Sequence, residues 1–394
     1  MEIKNNNTAP RKLLLTGSLI AIISLGLAFL VLSPDSSKTE PVVQVANQST
    51  ETIESTTPIQ DRLDDLTIEQ KIGQMLFVGY DGSDTDEQLK NMVNSNYLGG
   101  VMLMGPNVSD TNNASLLIDD LQSISKNESS TSLFIGIDQE GGIVQRITDP
   151  TFELTSQPQI NTIEQAEEIA AKRAIELTRL GINTNFSPVV ETITDPNSFL
   201  YDRVFRGSSQ DVRNYTVAYV NSYEQNGLMS TIKHFPGHNN ASIDSHIGLP
   251  SSNMTDQEFE QHISTFSQTI GDAKPTFTMV GHILFPTQDP NLPSSLSPTI
   301  INDYLKTDIG YEGLVITDDM SMGAIIKNYG KIEAAVRAIE AGNDILLYVE
   351  DQFSISEIHT ALVSKVDSGE LKEELIDQSV LKILTVKYQQ NLLD

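Results

Sequence analysis

The chain has 394 residues, with 25 Lys and Arg against 53 Asp and Glu, a formal charge of −28, and neither Cys nor Trp. Nucleic-acid binding is disfavoured, because phosphate affinity comes from clustered Lys and Arg, and the lack of Cys excludes disulfides, thiolate metal sites and a lipid-modified cysteine. A hydrophobic fraction of 39% over this length supports one large domain or two ordinary ones.

In chain order, residues 1–12 carry Lys4, Arg11 and Lys12 ahead of Leu13 to Leu32, a run of twenty residues without a charge. As a helix such a run spans about 30 Å, the hydrocarbon thickness of a bilayer, and the basic flank puts the near end in the cytoplasm. A transmembrane signal-anchor over 13–32 is expected. The other reading is a cleaved signal peptide, against which stand the length of the run and Pro34 just after it. Residues 33–58, rich in Ser, Thr, Gln and Glu, read as a disordered tether. The remainder, 59–394, reads as one catalytic domain.

From Asp61 onward short apolar runs alternate with helical stretches. Thr67-Ile68-Glu69-Gln70 is a capping box opening a helix. Strands are expected at Met75 to Gly79, Val101 to Met104, Leu133 to Ile137, Ile182 to Ser187, Leu228 to Ile232, Thr276 to Val280, Leu314 to Thr317 and Asp344 to Tyr348. Helical spacing is clearest in Ile163 to Leu180 and Ile332 to Ala341, closed by Gly181 and Gly342, and a last helix covers Leu371 to Tyr388. The alternation implies a parallel sheet with crossover helices. A (β/α)8 barrel of the TIM type is expected, with a doubly wound sheet as the other arrangement that fits.

Polar clusters recur at the ends of these runs, where a barrel displays its reactive groups. Asp138-Gln139-Glu140-Gly141-Gly142 follows the third run, with Arg146 eight residues beyond the Asp. The glycines let backbone approach a ligand closely and a carboxylate there can accept paired hydrogen bonds from hydroxyls, although a tight turn with solvated acids is the plainer reading. Arg203, in Asp202-Arg203-Val204-Phe205, reads on its own as a surface charge. The richest stretch is Lys233 to His246, K-H-F-P-G-H-N-N-A-S-I-D-S-H, which holds three of the six histidines. Pro236 and Gly237 exclude a helix, so His234 and His238 are not the i, i+4 pair of a helical zinc site. Two adjacent donors, Lys233 and His234, at a strand end favour hydroxyl binding, while His238 could serve only to brace the loop. His282, after the sixth run, suits structure and substrate contact equally. Asp318 directly follows the seventh run and is held as rigidly as a nucleophile requires; Asp319 reads as an acid favoured by a helix N-terminus.

Together these motifs resemble those of the β-N-acetylglucosaminidases of glycoside hydrolase family 3, over essentially all of the chain from residue 61. Lys233 to His238 with Asp244-Ser245-His246 is similar to the family's K-H-F-P-G-H-G and D-S/T-H signature, the stretch from Asp138 to Arg146 to its D-Q-E-G-G-R-V-x-R, and Val315 to Met322 to its V-x-T-D-x-L/M-x-M. The resemblance implies a retaining exo-hydrolase with Asp318 as nucleophile and His246 as acid/base, oriented by Asp244; at an i, i+2 offset a carboxylate can reach the imidazole Nδ1. It also implies that Asp138, Arg146, Arg203, Lys233 and His234 bind the terminal sugar. No cofactor and no metal is implied. The expected substrate is a β-linked N-acetylglucosaminide of peptidoglycan fragments or a related oligosaccharide, cut by a monomer held outside the cell membrane.

The chain departs from the family pattern in three places. Asn239-Asn240-Ala241 replaces Gly-Asp-Thr, Ile143 replaces the first Arg of its motif, and Glu191 replaces an Asp, its extra methylene leaving it out of the expected sugar contacts. Two other functions fit some of the residues: a metal-dependent hydrolase with His234, His238, Asp244 and His246 as ligands, and an inactive cell-wall glycan binder. The anchor has its own test. Full-length protein is expected in the membrane pellet, resistant to salt and released by detergent, whereas a soluble product beginning near residue 34 would replace the anchor by a cleaved signal peptide.

Overall fold

The computed structural model describes residues 58–80, 82, 87–129, 131–238, 248–349 and 354–393. The expected anchor, nearly all of the tether, the Asn239-Asn240-Ala241 departure, Asp244 and His246 lie outside the described residues. Among the described residues no helix is long and apolar enough to cross a membrane.

Eight parallel strands form the centre: β1 Leu76–Tyr80, β2 Gly100–Leu103, β3 Phe134–Ile137, β4 Thr184–Asn185, β5 Met229–Phe235, β6 Phe277–Val280, β7 Leu314–Thr317 and β8 Leu346–Tyr348. Each expected run supplies one. Their order is β7-β6-β5-β4-β3-β2-β1-β8, so neighbours in sequence are neighbours in the sheet and there is no reversal point of the kind a doubly wound sheet has. A parallel bridge between Ile316 and Ile345 brings β7 to β8, with Leu347 N donating to Thr317 Oγ1 at 3.0 Å. The sheet thus closes into a TIM-type barrel, with helices in the connections.

Every strand residue is buried, which is why the strands read as continuous apolar runs rather than as alternation. Phe77 of β1 meets Phe186, just past β4, at 5.3 Å between ring centroids, and Phe134 of β3 meets Phe277 of β6 at 5.4 Å. These pairs join strands that are not neighbours, so they fill the barrel's interior. Gly136 of β3 makes room for the first, since a Cβ there would stand 2.7 Å from Phe77 and 2.9 Å from Phe186.

The local signals hold as well. Thr67 and Gln70 form the capping box of the helix Ile68–Gln74. Gly181 and Gly342, at φ of 92° and 103°, close the helices Ile163–Arg179 and Lys331–Ala341. The chief difference is β5, which runs three residues beyond the expected Ile232 and carries Lys233 and His234 within the strand. Neighbouring chain supplies the ladder there: Lys233 N donates to Pro188 O at 3.2 Å, and Phe235 O accepts from Gly281 N at 2.9 Å. Tertiary pairing overrides the weak strand preference of these side chains.

Lys387, on the helix Glu373–Gln389, is fully buried beside the N-terminal ends of β1 and β3. Its Nζ donates to Gln74 Oε1 at 2.6 Å and lies 5.1 Å from the centre of the Phe134 ring. Burial pushes its pKa down from 10.5 to about 7, so the unfolded chain binds the extra proton between those values and stability rises with pH across that window. Lys387→Met is therefore expected to raise the unfolding free energy by about 1–3 kcal/mol at pH 7, the lost hydrogen bond and ring contact offsetting part of the relief. The gain should shrink as pH climbs towards 10.5. Urea unfolding at several pH values measures it, and a gain independent of pH would mean that Lys387 is not buried at such a cost.

Candidate active site

The C-terminal ends of β3, β5 and β7 bring Asp138, Lys233 and Asp318 to one side of the barrel. Lys233 Nζ stands 2.9 Å from Asp138 Oδ1 and 2.6 Å from Glu140 Oε1. Arg146 reaches the other Asp138 oxygen at 3.1 Å, and Arg203 grips Glu140 with two bonds, Nε at 3.0 Å and Nη2 at 2.7 Å. Burial would raise the pKa of Glu140, but Arg203 and Lys233 hold it at about 2. Burial opposes the charge on Lys233 too, and Asp138 with Glu140 raises its pKa nonetheless.

The loop after β3 is built to present these groups. Gln139 accepts from the backbone N–H of Arg146 at 2.9 Å and of Ile147 at 3.0 Å, and donates to Ile147 O at 3.0 Å. That folds the chain back so that Arg146 faces Asp138. Arg173, from the helix Ile163–Arg179, donates to Glu140 O at 2.8 Å and Thr155 O at 2.7 Å. Gly141, at φ 91°, lies so close to Thr155 that a Cβ would stand 2.3 Å from its carbonyl oxygen.

Glu191 organises the next group. It is 2% exposed; Oε1 lies 3.1 Å from both His234 Nδ1 and His238 Nδ1, and Oε2 accepts from His238 N at 2.5 Å. Burial favours the neutral acid, but the two histidines draw its pKa well below the ordinary carboxylate range. Burial likewise lowers the pKa of His234. With an ionised acceptor at each Nδ1, both imidazoles carry a proton on that nitrogen, and His234, kept neutral by burial, turns a bare Nε2 the other way. One carboxylate thus spans two histidines.

Asp318 is fixed through its backbone, its N–H donating to Val280 O at 2.9 Å, while Oδ1 accepts from Asp319 N at 2.8 Å. Burial works to raise its pKa, but His234, His282, the Asp319 N–H and His238 together lower it to about 2. Asp319 is no helix-end acid: it ties the end of β7 to that of β8, accepting from Ser321 N and Val349 N at 2.9 Å each. His282 is structural, since both ring nitrogens are used, with Ser295 Oγ at 2.7 Å and Asp319 O at 3.0 Å.

Asp138, Arg146, Arg203, Lys233, His234 and Asp318 line one cavity of about 280 Å³, near the lower end of the roughly 300–1,000 Å³ usual for small-molecule sites. Arg203 contributes through Glu140, a residue that the sequence displayed in its motif without indicating its partner. The donor atoms of Glu191, His234 and His238 lie within 4.8 Å of one another, close enough to hold a metal ion.

Residues 67–386 match the glycosyl hydrolase family 3 N-terminal domain. The chain belongs to glycosyl hydrolase family 3. Within it, the chain is 32% identical to beta-hexosaminidase LpqI of Mycobacterium tuberculosis over 338 residues, 82% of this chain and 83% of that protein. It is 29% identical over 327 residues to beta-hexosaminidase A of Pseudoalteromonas piscicida, spanning 76% of this chain but only 55% of that one. A family 3 beta-N-acetylglucosaminidase from Paenibacillus superposes with a TM-score of 0.78 at 32% identity, covering 83% of this chain and 63% of its own.

Glu191→Gln tests the shared carboxylate. It replaces one of the two acceptor oxygens by a donor facing donors, and is expected to lower the unfolding free energy by about 2 kcal/mol, the scale of a lost hydrogen bond to a buried charged group. Imidazole ¹⁵N NMR should show His234 and His238 as Nδ1–H tautomers in the wild type and mixed in the variant. Unchanged tautomers would free them from Glu191.

Proposed function

We propose that this family 3 protein is a retaining exo-β-N-acetylglucosaminidase, removing terminal β-linked N-acetylglucosamine from peptidoglycan fragments or related oligosaccharides. The observation that carries the reading is Asp318: a buried, ionised carboxylate fixed at a strand end on the wall of a cavity that is lined by charged and apolar side chains and sized for a small ligand. The printed names of the Mycobacterium, Pseudoalteromonas and Paenibacillus relatives support the sugar. We extend the reading to a domain held outside the membrane by residues 13–32.

In this mechanism Asp138, whose charge Arg146 and Lys233 balance, accepts hydrogen bonds from hydroxyls of the terminal sugar. His234 meets the sugar with the bare Nε2 that Glu191 assigns to it. Asp318 attacks the anomeric carbon, and the bond to the departing oxygen breaks as His246 gives that oxygen a proton. A glycosyl ester on Asp318 results. His246, now a base steadied by Asp244, takes a proton from water as the water oxygen attacks the same carbon and the bond to Asp318 breaks, freeing its carboxylate, and two inversions leave the β configuration. The low pKa of Asp318 keeps the nucleophile ionised through the acidic and neutral range.

A metal-dependent hydrolase draws on one observation, the Glu191, His234 and His238 cluster. Activity that a chelator abolishes and zinc restores would favour it.

Proton NMR of early product should show the β-anomer first; α-product would remove the covalent intermediate. Asp318→Ala is expected to lose natural and activated substrates alike, since no leaving group replaces a nucleophile. His246→Ala should slow a natural disaccharide by roughly 10²–10⁴-fold, the usual worth of general acid catalysis, and a dinitrophenyl N-acetylglucosaminide far less in its first step, because an acidic phenol leaves unprotonated. Equal losses on both substrates in a folded variant would take the acid role from His246.

A further inference from the structure

One buried cation stands outside the ion pairs of the cavity. Arg173, on the helix Ile163–Arg179, is 1% exposed, and its guanidinium donates to Glu153 O at 3.3 Å, Glu140 O at 2.8 Å, Thr155 O at 2.7 Å and the hydroxyl of Tyr219. None of these oxygens belongs to a carboxylate. An apolar side chain would fill the same space without the cost of burying a charge, so it is the bonds that distinguish arginine here. They join the limb of the loop leaving β3, at residue 140, to the limb returning at 153–155. The guanidinium lies directly against the turn between them, since a Cβ on Gly141 would stand 2.7 Å from Arg173 Nη2.

A second tie grips the same outgoing limb. Asn185 of β4, fully buried, accepts from Gln139 N at 3.0 Å, and its amide group donates to Gln139 O and to the Tyr223 hydroxyl at 3.0 Å each. Tyr219 and Tyr223 both come from the helix Ser209–Gln225, with ring centroids 4.9 Å apart, so the two ties share one support. Gln139 O belongs to the peptide before Glu140, and Glu140 O to the peptide after it. With both peptides pinned the Glu140 backbone has no freedom to turn, and its side chain is left only a few staggered rotamers. The one adopted sets the carboxylate 2.6 Å from Lys233 Nζ and 2.7 Å from Arg203 Nη2.

We propose that Arg173 and Asn185 are positioning residues for sugar binding, which aim the Glu140 carboxylate by pinning the peptides on either side of it. Neither lines the cavity. Both act through Glu140, which holds Lys233 and Arg203, and Lys233 in turn holds Asp138 at 2.9 Å. The inference rests on the glycosidase reading and names residues that serve it without touching the sugar. A misplacement of about 1 Å can cost about 10² in rate, so a tie that slackens by a fraction of that distance has a kinetic effect.

Arg173→Lys keeps the charge but cannot reach all of these oxygens, and Asn185→Ser releases the Gln139 peptide. Each is expected to raise KM for an aryl N-acetyl-β-glucosaminide by about 10-fold and to change kcat by less than about 2-fold, the pattern of contacts made alike in ground state and transition state. Glu140→Gln should show the same split. In the Glu140→Gln background either second substitution should raise KM by less than about 3-fold more, because residues that act through one carboxylate are not additive. A further loss undiminished in that background, a KM unchanged in the single variants, or a fall in kcat alone, in variants with wild-type circular dichroism, would make the two residues braces of the fold and overturn the proposal. Should Arg173→Lys fail to fold, Asn185→Ser decides by the same criteria. The wild-type enzyme separates the two failures: if it leaves the aryl glycoside uncleaved the glycosidase reading falls with this inference, and if it cleaves it while the variants keep its KM only this inference falls.

Discussion

Glu140 is a carboxylate without access to water, and much of the site follows from what it needs. Burying an ionised group costs several kcal/mol unless partners and hydrogen bonds replace its hydration. Lys233 from β5 and Arg203 from the segment before it do so. Lys233 is itself buried and takes a second carboxylate, Asp138, which in turn holds Arg146. The result is a chain of alternating charge in which each member compensates its neighbours. Counting Arg146, Arg203 and Lys233 against Asp138 and Glu140 leaves one positive charge, which Asp318 on the same wall balances. Removing one member leaves another uncompensated, so these positions stand or fall together.

Glu191 solves a different problem by similar means. An imidazole offers two tautomers, and a binding site needs one of them. Here one ionised carboxylate fixes both His234 and His238 through Nδ1, and also accepts from the backbone N–H of each, at 3.3 and 2.5 Å. Its reach covers the start and the end of the His234 to His238 turn. The loop bearing the second histidine is thereby tied to the strand bearing the first.

How much of this the sequence revealed depends on the range of the interaction concerned. The strands were legible because a parallel barrel buries both faces of each, leaving short apolar runs between helices, and helix ends were legible because capping by Thr67, Gly181 and Gly342 is local. The extension of β5 was not, since its ladder partners are Pro188 and Gly281, supplied by the neighbouring strands' flanks. Asp138, Arg146, Lys233, His234 and Asp318 were picked out by motif and do share a cavity. Arg203 was picked out too, but its partner Glu140 lies 63 residues away, a distance over which spacing carries no information. His282 stayed ambiguous for the same reason: its satisfaction depends on Ser295 and on the Asp319 carbonyl.

Composition and site pull in opposite directions, and burial reconciles them. A chain of charge −28 repels itself and raises the cost of every further ionised carboxylate, yet Glu140, Glu191 and Asp318 remain ionised near one another at one end of the barrel. The long-range field acts through water and salt, which damp it over a Debye length of about 8 Å at physiological ionic strength. The stabilising contacts of the site are hydrogen bonds and ion pairs of about 3 Å inside the protein, where screening hardly reaches. Surface acidity can therefore set how the molecule meets charged partners while the charge state of the cavity stays nearly independent of it.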